Sequence, residues 1–324
     1  MRITGRLVLT LLVALILAMA GVIAAFWAPD VPVDSLKLRW APPPSAFISV
    51  EGMQVHYRDE GPRDDPTPLV LIHGTSASLH TWDGWVEVLS KQRRVVRFDL
   101  PGFGLTGPAP DNDYSLERYT RFVAATLDAL KLKRVVLGGN SLGGQIAWAT
   151  ALAYPERVDR LILVDAAGYP FQSASVPIGF RIALLPGVNR LMEYVLPRAV
   201  IEASVKDVYG NPAAVTPELI DRYYELTRRQ GNRHALALRF QQMKPGQLAD
   251  RIPALRLPVL ILWGAHDRLI PLENGRHFNR DIPGSQLKVF DDLGHVPQEE
   301  DPQRTAEVVG NFIAIARQAT LSGA

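Results

Sequence analysis

Val135 to Ala153 reads VVLGGNSLGGQIAWATALA, and the rest of the chain is arranged around it. An apolar run, Val135-Val136-Leu137, stops at Gly138-Gly139-Asn140-Ser141-Leu142-Gly143-Gly144, and small and apolar residues at helical spacing follow. The pattern is strand, sharp turn, helix. Gly139-Asn140-Ser141-Leu142-Gly143 fits G-x-S-x-G, a nucleophile elbow that presents a serine hydroxyl at the top of a sheet from a strained turn. Glycines flank the serine because a Cβ there would collide with the neighbouring strand or helix. A Gly-rich turn carrying a solvated serine is the plainer reading, and the strand before and helix after weigh against it.

Working outward, strands and helices alternate. Phe47 to Val50 and Met53 to Arg58 alternate apolar and polar residues around Glu51-Gly52, as an opening antiparallel hairpin does. Leu69-Val70-Leu71-Ile72 is a continuous apolar run, expected of a strand buried on both faces. It stops at His73-Gly74-Thr75-Ser76, and Trp82 to Leu89 is helical. Val95 to Phe98 is the next strand, closed by Asp99-Leu100-Pro101-Gly102-Phe103-Gly104, and Leu116 to Leu130 is a helix. After the elbow come strands Leu161 to Val164, Val259 to Trp263 and Leu287 to Phe290, then an amphipathic helix, Arg304 to Ala316. This predicts a doubly wound, mostly parallel, eight-stranded α/β sheet, with ligands bound beyond the carboxyl ends of its strands.

Between Gly168 and Pro253 the alternation fails, and Arg, Tyr and Leu recur at helical spacing, broken by Pro177, Pro186, Pro197, Pro212 and Pro217. A structureless loop of that length is implausible, so residues 168–253 are expected to be a helical cap over the core formed by 46–167 and 254–324.

At the amino end, Leu7 to Trp27 is apolar except for Thr10 and small residues, long enough to cross a hydrocarbon core of about 30 Å. Arg2 and Arg6 precede it and no basic residue follows until Lys37, so residues 1–28 are expected to anchor the chain with the body exported. Ala18-Met19-Ala20 offers a cleavage site for the alternative, a signal peptide and a secreted body. Residues 29–45, with prolines in two clusters, are expected to form an extended, stiff tether. Trp40 docks on the body or on lipid.

The chain is 47% hydrophobic and 21% charged, with a formal net charge of +2. Near-neutral charge without a long basic run argues against nucleic acid as a partner. With no cysteine, disulfides, thiolate metal sites and a cysteine nucleophile are excluded. No His, Asp or Glu cluster has metal-ligand spacing.

A serine hydroxyl needs a base to take its proton and a third group to orient the base. Asp267, in Trp263-Gly264-Ala265-His266-Asp267, and His295, in Gly294-His295-Val296-Pro297, both follow strands. With Ser141 they run in the order Ser, Asp, His. His295 is then the base, Asp267 its orienting acid, and the backbone N–H groups of Leu142 and Thr75 the oxyanion donors. His266 is a weaker candidate base and Asp165 a rival acid. Asp99 is expected to tie down its own Gly-rich loop and His73 to be structural. His56, His80, His234 and His277 lack a partner pattern and read as surface or core.

These motifs resemble the α/β-hydrolase fold superfamily over roughly residues 47–319. His73-Gly74, Asp99 to Gly104, Gly139 to Gly144, Trp263 to Asp267 and Gly294 to Pro297 carry the resemblance. Gly-Asn-Ser-Leu-Gly-Gly and the stretch from Val208-Tyr209-Gly210-Asn211 to Tyr224 are similar to the branch holding carbon-carbon bond hydrolases of meta-cleavage products and many carboxylesterases. Those carbon-carbon hydrolases carry a Trp after the catalytic His and a cap Arg for the substrate carboxylate. Here Val296 takes the Trp position, and Arg181, Arg190 and Arg198 are the candidates for the Arg. Epoxide hydrolases and haloalkane dehalogenases are similar too, but attack with Asp where this chain has Ser141. The resemblance implies a cofactor-free serine hydrolase of an ester or acyl substrate, which the amino-terminal apolar run is expected to anchor in a membrane. A carbon-carbon hydrolase and a catalytically inactive, tethered binding module are the alternatives. Acyl-chain length and oligomeric state are not encoded in these spacings.

Overall fold

The computed structural model describes residues 3–185 and 187–322. Arg2 and Pro186, both invoked above, lie outside them. One eight-stranded sheet runs in the order β1-β2-β4-β3-β5-β6-β7-β8. Its strands are β1 (Ala46–Val50), β2 (Met53–Glu60), β3 (Leu69–Ile72), β4 (Val95–Phe98), β5 (Val135–Asn140), β6 (Val158–Val164), β7 (Val259–Gly264) and β8 (Gln286–Phe290). β2 is antiparallel to both β1 and β4, and every pair from β4 to β8 is parallel. The hairpin closes at Glu51 (φ +46°) and Gly52 (φ +82°), the paired positive dihedrals of a tight two-residue turn.

Alternate strand residues build two cores, one on each face of the sheet. Val70, Ile72, Leu137, Leu163 and Ile261 pack with α4 (Leu116–Ala129), α5 (Leu142–Ala153) and α11 (Leu272–Asp281) through Phe122, Trp148 and Phe278. Leu69, Leu71, Val136, Ile162 and Leu262 pack with α3 (Asp83–Leu89) and α13 (Pro302–Ser322) through Trp85, Ala306 and Val309. Burial on both faces explains why the central strands read as unbroken apolar runs.

The segment 168–253 contains α6 (Ile178–Ala183), α7 (Val188–Leu191), α8 (Arg198–Val208), α9 (Pro217–Thr227) and α10 (Asn232–Gln242). A smaller apolar cluster of Val205, Tyr209, Val215 and Ile220 joins this insertion to Val296 beside His295. Its edge is further held by Glu299 of α12 (Pro297–Glu300), which accepts from Arg222 Nη2 at 2.6 Å and Tyr209 Oη at 2.7 Å.

The amino-terminal helix α1 (Ile3–Ala25) includes a 19-residue span, Leu7–Ala25, of mean hydropathy 2.9 with no part of it buried in the protein. It is long and apolar enough to cross a membrane.

Residues 29–45 depart from the expected extended tether. They contain a helix, α2 (Val33–Trp40), docked on the cap. Leu36 is buried against Leu105 and Leu226, and Trp40 Nε1 donates to Glu225 Oε2 at 2.6 Å. Backbone bonds join Val31 N to Arg228 O (2.7 Å) and Gln230 N to Val31 O (3.0 Å). The prolines flank this helix instead of interrupting it: Pro32 is its N-cap, where a missing N–H costs nothing, and Pro42 to Pro44 follow its end.

Candidate active site

Ser141 sits between β5 and α5 at φ +56°, ψ −117°, a conformation a serine holds only where its surroundings impose it. The imposition is steric. A Cβ on Gly139 would lie 2.2 Å from Gly143 O, and one on Gly143 would lie 2.2 Å from Ile72 O. Backbone bonds from Ser141 N to Val164 O (3.0 Å) and from Ala167 N to Ser141 O (3.1 Å) lock the turn to the end of β6.

His295 and Asp267 arrive from the ends of β8 and β7. His295 Nδ1 lies 2.7 Å from Asp267 Oδ2, and both side chains are buried. Asp267 Oδ1 accepts from the N–H groups of Leu269 (2.8 Å) and Ile270 (2.9 Å), which fixes the orientation of the carboxylate. The loop carrying His295 is held on three sides. Its N–H donates to Val208 O at 2.8 Å, its carbonyl accepts from Asn140 Nδ2 at 2.9 Å, and Glu300 accepts from Gly294 N (2.8 Å) and Gly210 N (2.7 Å). Backbones approach closely here, since a Cβ on Gly294 would meet Gly210 N at 2.3 Å. The cap stretch around Gly210 thus helps to place the histidine.

Ser141 and His295 line one cavity with Thr75. Among the described residues no hydrogen bond joins Ser141 Oγ to His295, a link that commonly tightens only in the complex with substrate. The N–H of Leu142 opens α5 and has no acceptor within the helix. The cavity, about 110 Å³, far exceeds the roughly 10 to 15 Å³ that one water needs. Its cap wall is apolar, formed by Phe180, Met192, Leu196, Val200, Ile201 and Leu236 among others.

Asp165, the rival acid, also reaches this cluster. One ligand atom each from Asp165, Asp267 and His295 fall within 4.8 Å of one another, a grouping that sequence spacing does not flag. Asp165 is fully buried at φ +43°, with Oδ1 accepting from Gly264 N at 3.0 Å and Oδ2 without a donor. Burial first, and the neighbouring Asp267 carboxylate second, hold its pKa well above the usual carboxylate range. A raised pKa favours the neutral form of Asp165 beside an Asp267 carboxylate that already holds two backbone N–H donors and the imidazole. The ligand atoms of Asp267 and His295 are thereby engaged with each other, and the group reads as a hydrogen-bonded relay.

His73 is structural: Nδ1 bonds Gly74 O at 2.8 Å, Nε2 accepts from Leu100 N at 3.0 Å, and burial lowers its pKa. Asp99 ties down its loop through Leu105 N (2.8 Å) and Leu79 N (2.7 Å). It also pairs with His56, for which sequence suggested no partner, at 2.8 Å. Arg181, Arg190 and Arg198 do not line the cavity; among the described residues Arg233 does, and its Nη2 donates to Asp30 Oδ1 at 2.7 Å. That residue was missed because its partner lies some two hundred positions away.

Residues 67–302 match the model of the alpha/beta hydrolase fold family. A 2-hydroxy-6-oxo-2,4-heptadienoate hydrolase of Pseudomonas putida is 34% identical over 278 residues, covering 83% of this chain and 95% of that protein. Among solved structures, a meta-cleavage product hydrolase from Pseudomonas fluorescens IP01 has a TM-score of 0.71 at 29% identity, over 84% of this chain and 98% of that one. A bacterial membrane phospholipase A also has a TM-score of 0.71, at 26% identity, over 97% of this chain and 99% of that one. With three-quarters of its length inside the family model and an elbow serine at the head of its sheet, the chain belongs to the alpha/beta hydrolase family.

Proposed function

We propose that this hydrolase is a membrane-anchored serine esterase acting on lipid-like acyl esters. The observation that carries the reading is the junction of the elbow serine, the buried His295-Asp267 pair and an apolar cavity in one chain headed by a membrane-length helix. The likeness to the membrane phospholipase A adds support. Its 97% coverage takes in most of residues 1–45, whereas the likeness to the meta-cleavage product hydrolase covers 84%.

Substrate binds with its acyl chain against the apolar cap wall. Ser141 Oγ attacks the ester carbonyl as His295 Nε2 takes its proton, with Asp267 holding the imidazole tautomer and stabilising the imidazolium. The N–H groups of Leu142 and Thr75 receive the oxyanion, each worth about 3 to 4 kcal/mol. His295 then protonates the leaving alcohol, and water activated by the same imidazole releases the acid. Arg2 and Arg6, which precede the apolar span Leu7–Ala25 in sequence, support a cytoplasmic amino terminus and an exported body. The intact mass of protein extracted from membranes distinguishes an anchor from cleavage near Ala20.

Carbon-carbon bond hydrolysis is a second reading, favoured by the 34% identical relative. Val296 beside His295, and the pairing of the cavity's cap arginine, Arg233, with Asp30, weigh against it. A panel of p-nitrophenyl esters set against a 2-hydroxy-6-oxo-dienoate decides the matter: the ester reading expects turnover of esters, with longer acyl chains preferred, and turnover of the dienoate alone overturns it.

A further inference from the structure

We propose that the outer surface of the cap segment from α6 to Leu196, together with Trp27, docks on the lipid bilayer and seats the mouth of the Ser141 cavity at the membrane interface. This rests on the reading of α1 as a membrane anchor.

The segment carries apolar side chains both inward and outward. Its inner residues, Phe180, Ala183, Met192 and Leu196 among them, line the cavity. Its outer side bears exposed Arg181 and Arg190 among large hydrophobics left uncovered: Leu184 and Leu185 are each 50% exposed, Tyr194 52%, and Ile178 and Leu191 about 40%. A surface helix of a soluble domain carries polar residues outward, and a contiguous apolar patch marks an interaction site.

Continuity with the anchor identifies the occupant. α1 ends at Ala25, and the chain joins this segment at once: Leu196 N donates to Phe26 O (3.1 Å), Ala28 N donates to Tyr194 O (2.8 Å), and Trp27 bridges to Val195. Trp27, 55% exposed, stacks on Tyr194 with ring centroids 5.7 Å apart. The 19 residues of the span rise about 29 Å, the thickness of a hydrocarbon core. Residues just past the helix therefore lie at the lipid-water boundary, where Trp and Tyr form interfacial belts. The cap patch, hydrogen-bonded to those residues, is held at the same depth. Arg181 on α6 is exposed and suited to reach the headgroups while its stem lies along lipid. A substrate acyl chain can then pass from the bilayer into the cavity without crossing water.

The chain has no cysteine, so Leu185→Cys and Leu191→Cys each create a unique labelling site. Lys133→Cys, in the turn before β5 at the end of the sheet away from the site, is the control. The full-length protein, labelled with a fluorophore, is reconstituted in phosphatidylcholine-phosphatidylglycerol vesicles holding lipid with a nitroxide high on its acyl chain. Strong quenching at 185 and 191 and weak quenching at 133 is the expected result. Equal quenching at all three positions overturns the proposal. So does self-quenching at 185 that follows protein density while lipid nitroxide has no effect, since a second copy of the chain then covers the patch. In a second measurement, the double substitution Leu184→Glu, Leu185→Glu alters only half-exposed side chains. It is expected to lower hydrolysis of long-chain phospholipid in vesicles by about tenfold, leaving a short soluble ester unaffected. Parallel losses on both substrates contradict the docking. Should the wild type hydrolyse no lipid, the proposed substrate fails, and quenching still decides the docking.

Discussion

Two serine-histidine-aspartate chains lie among the described residues, and only one of them faces a cavity. In the first, Ser45 Oγ lies 2.9 Å from His56 Nε2, and His56 Nδ1 lies 2.8 Å from Asp99 Oδ2, with the histidine and aspartate wholly buried. In the second, His295 and Asp267 are joined at 2.7 Å, and among the described residues no hydrogen bond links Ser141 to them. By hydrogen bonding alone the first is the more complete. Yet Ser45 Oγ accepts from Arg58 Nε at 2.8 Å, which occupies the oxygen that would attack, and neither Ser45 nor His56 lines the cavity over Ser141. Ser141 instead has the strained turn, the helix amino terminus behind it and the apolar cavity before it. What separates a nucleophile from a structural hydroxyl here is space for a substrate and donors for its oxyanion, not the hydrogen-bonded string itself.

The sharpest way to break this comparison is to remove each serine. Ser141→Ala is expected to lower kcat by about 10⁴ to 10⁶-fold, and Ser45→Ala to leave it within a few-fold. Equal losses would mean that the first chain is catalytic too. Removing each histidine separates chemistry from stability. His295→Ala is expected to abolish turnover. His56→Ala leaves Asp99 buried without its imidazole and costs about 3 kcal/mol or more in denaturant unfolding, with kcat of the folded fraction retained. Burial alone would raise the pKa of Asp99, but the His56 contact outweighs it and holds the carboxyl below the usual range, so this pair stabilises the fold above the ordinary carboxylate pKa.

Asp165 sharpens the second chain by pH. Its raised pKa keeps it neutral when folded, whereas the unfolded chain ionises it above about pH 4. Its contribution to stability is therefore full below that pH and is lost as pH rises. Asp165→Asn cannot ionise, so thermal unfolding should show a gain in Tm over wild type that is larger at pH 8 than at pH 4. A gain that does not grow with pH contradicts a neutral Asp165. The smallest effect is expected for Ser45→Ala on stability, about 1 kcal/mol, for the loss of one part-buried hydroxyl.

The two chains also show what a sequence discloses. Ser141, Asp267 and His295 were legible because each stands at the end of an apolar strand, with glycines where backbones must touch. The hairpin, the central strands and the helical insertion were legible by periodicity. Ser45-His56-Asp99 carried no such signal, since its members are joined by the pairing of β1 with β2 and the packing of a loop, neither of which has a local pattern. Helix α2, a strap across the cap, is not legible because its prolines carry the pattern of an extended chain, whereas they stand at its two ends and Leu36 supplies the apolar contact that folds it down. Arg233 and Asp30 meet only because that strap docks.

The most direct test of the central claim is reaction of the full-length protein with a fluorophosphonate, followed by peptide mass analysis. The account predicts one adduct, on the peptide bearing Ser141, absent from Ser141→Ala and never found on the peptide bearing Ser45. A wild type that takes no label, or takes it elsewhere, would contradict it.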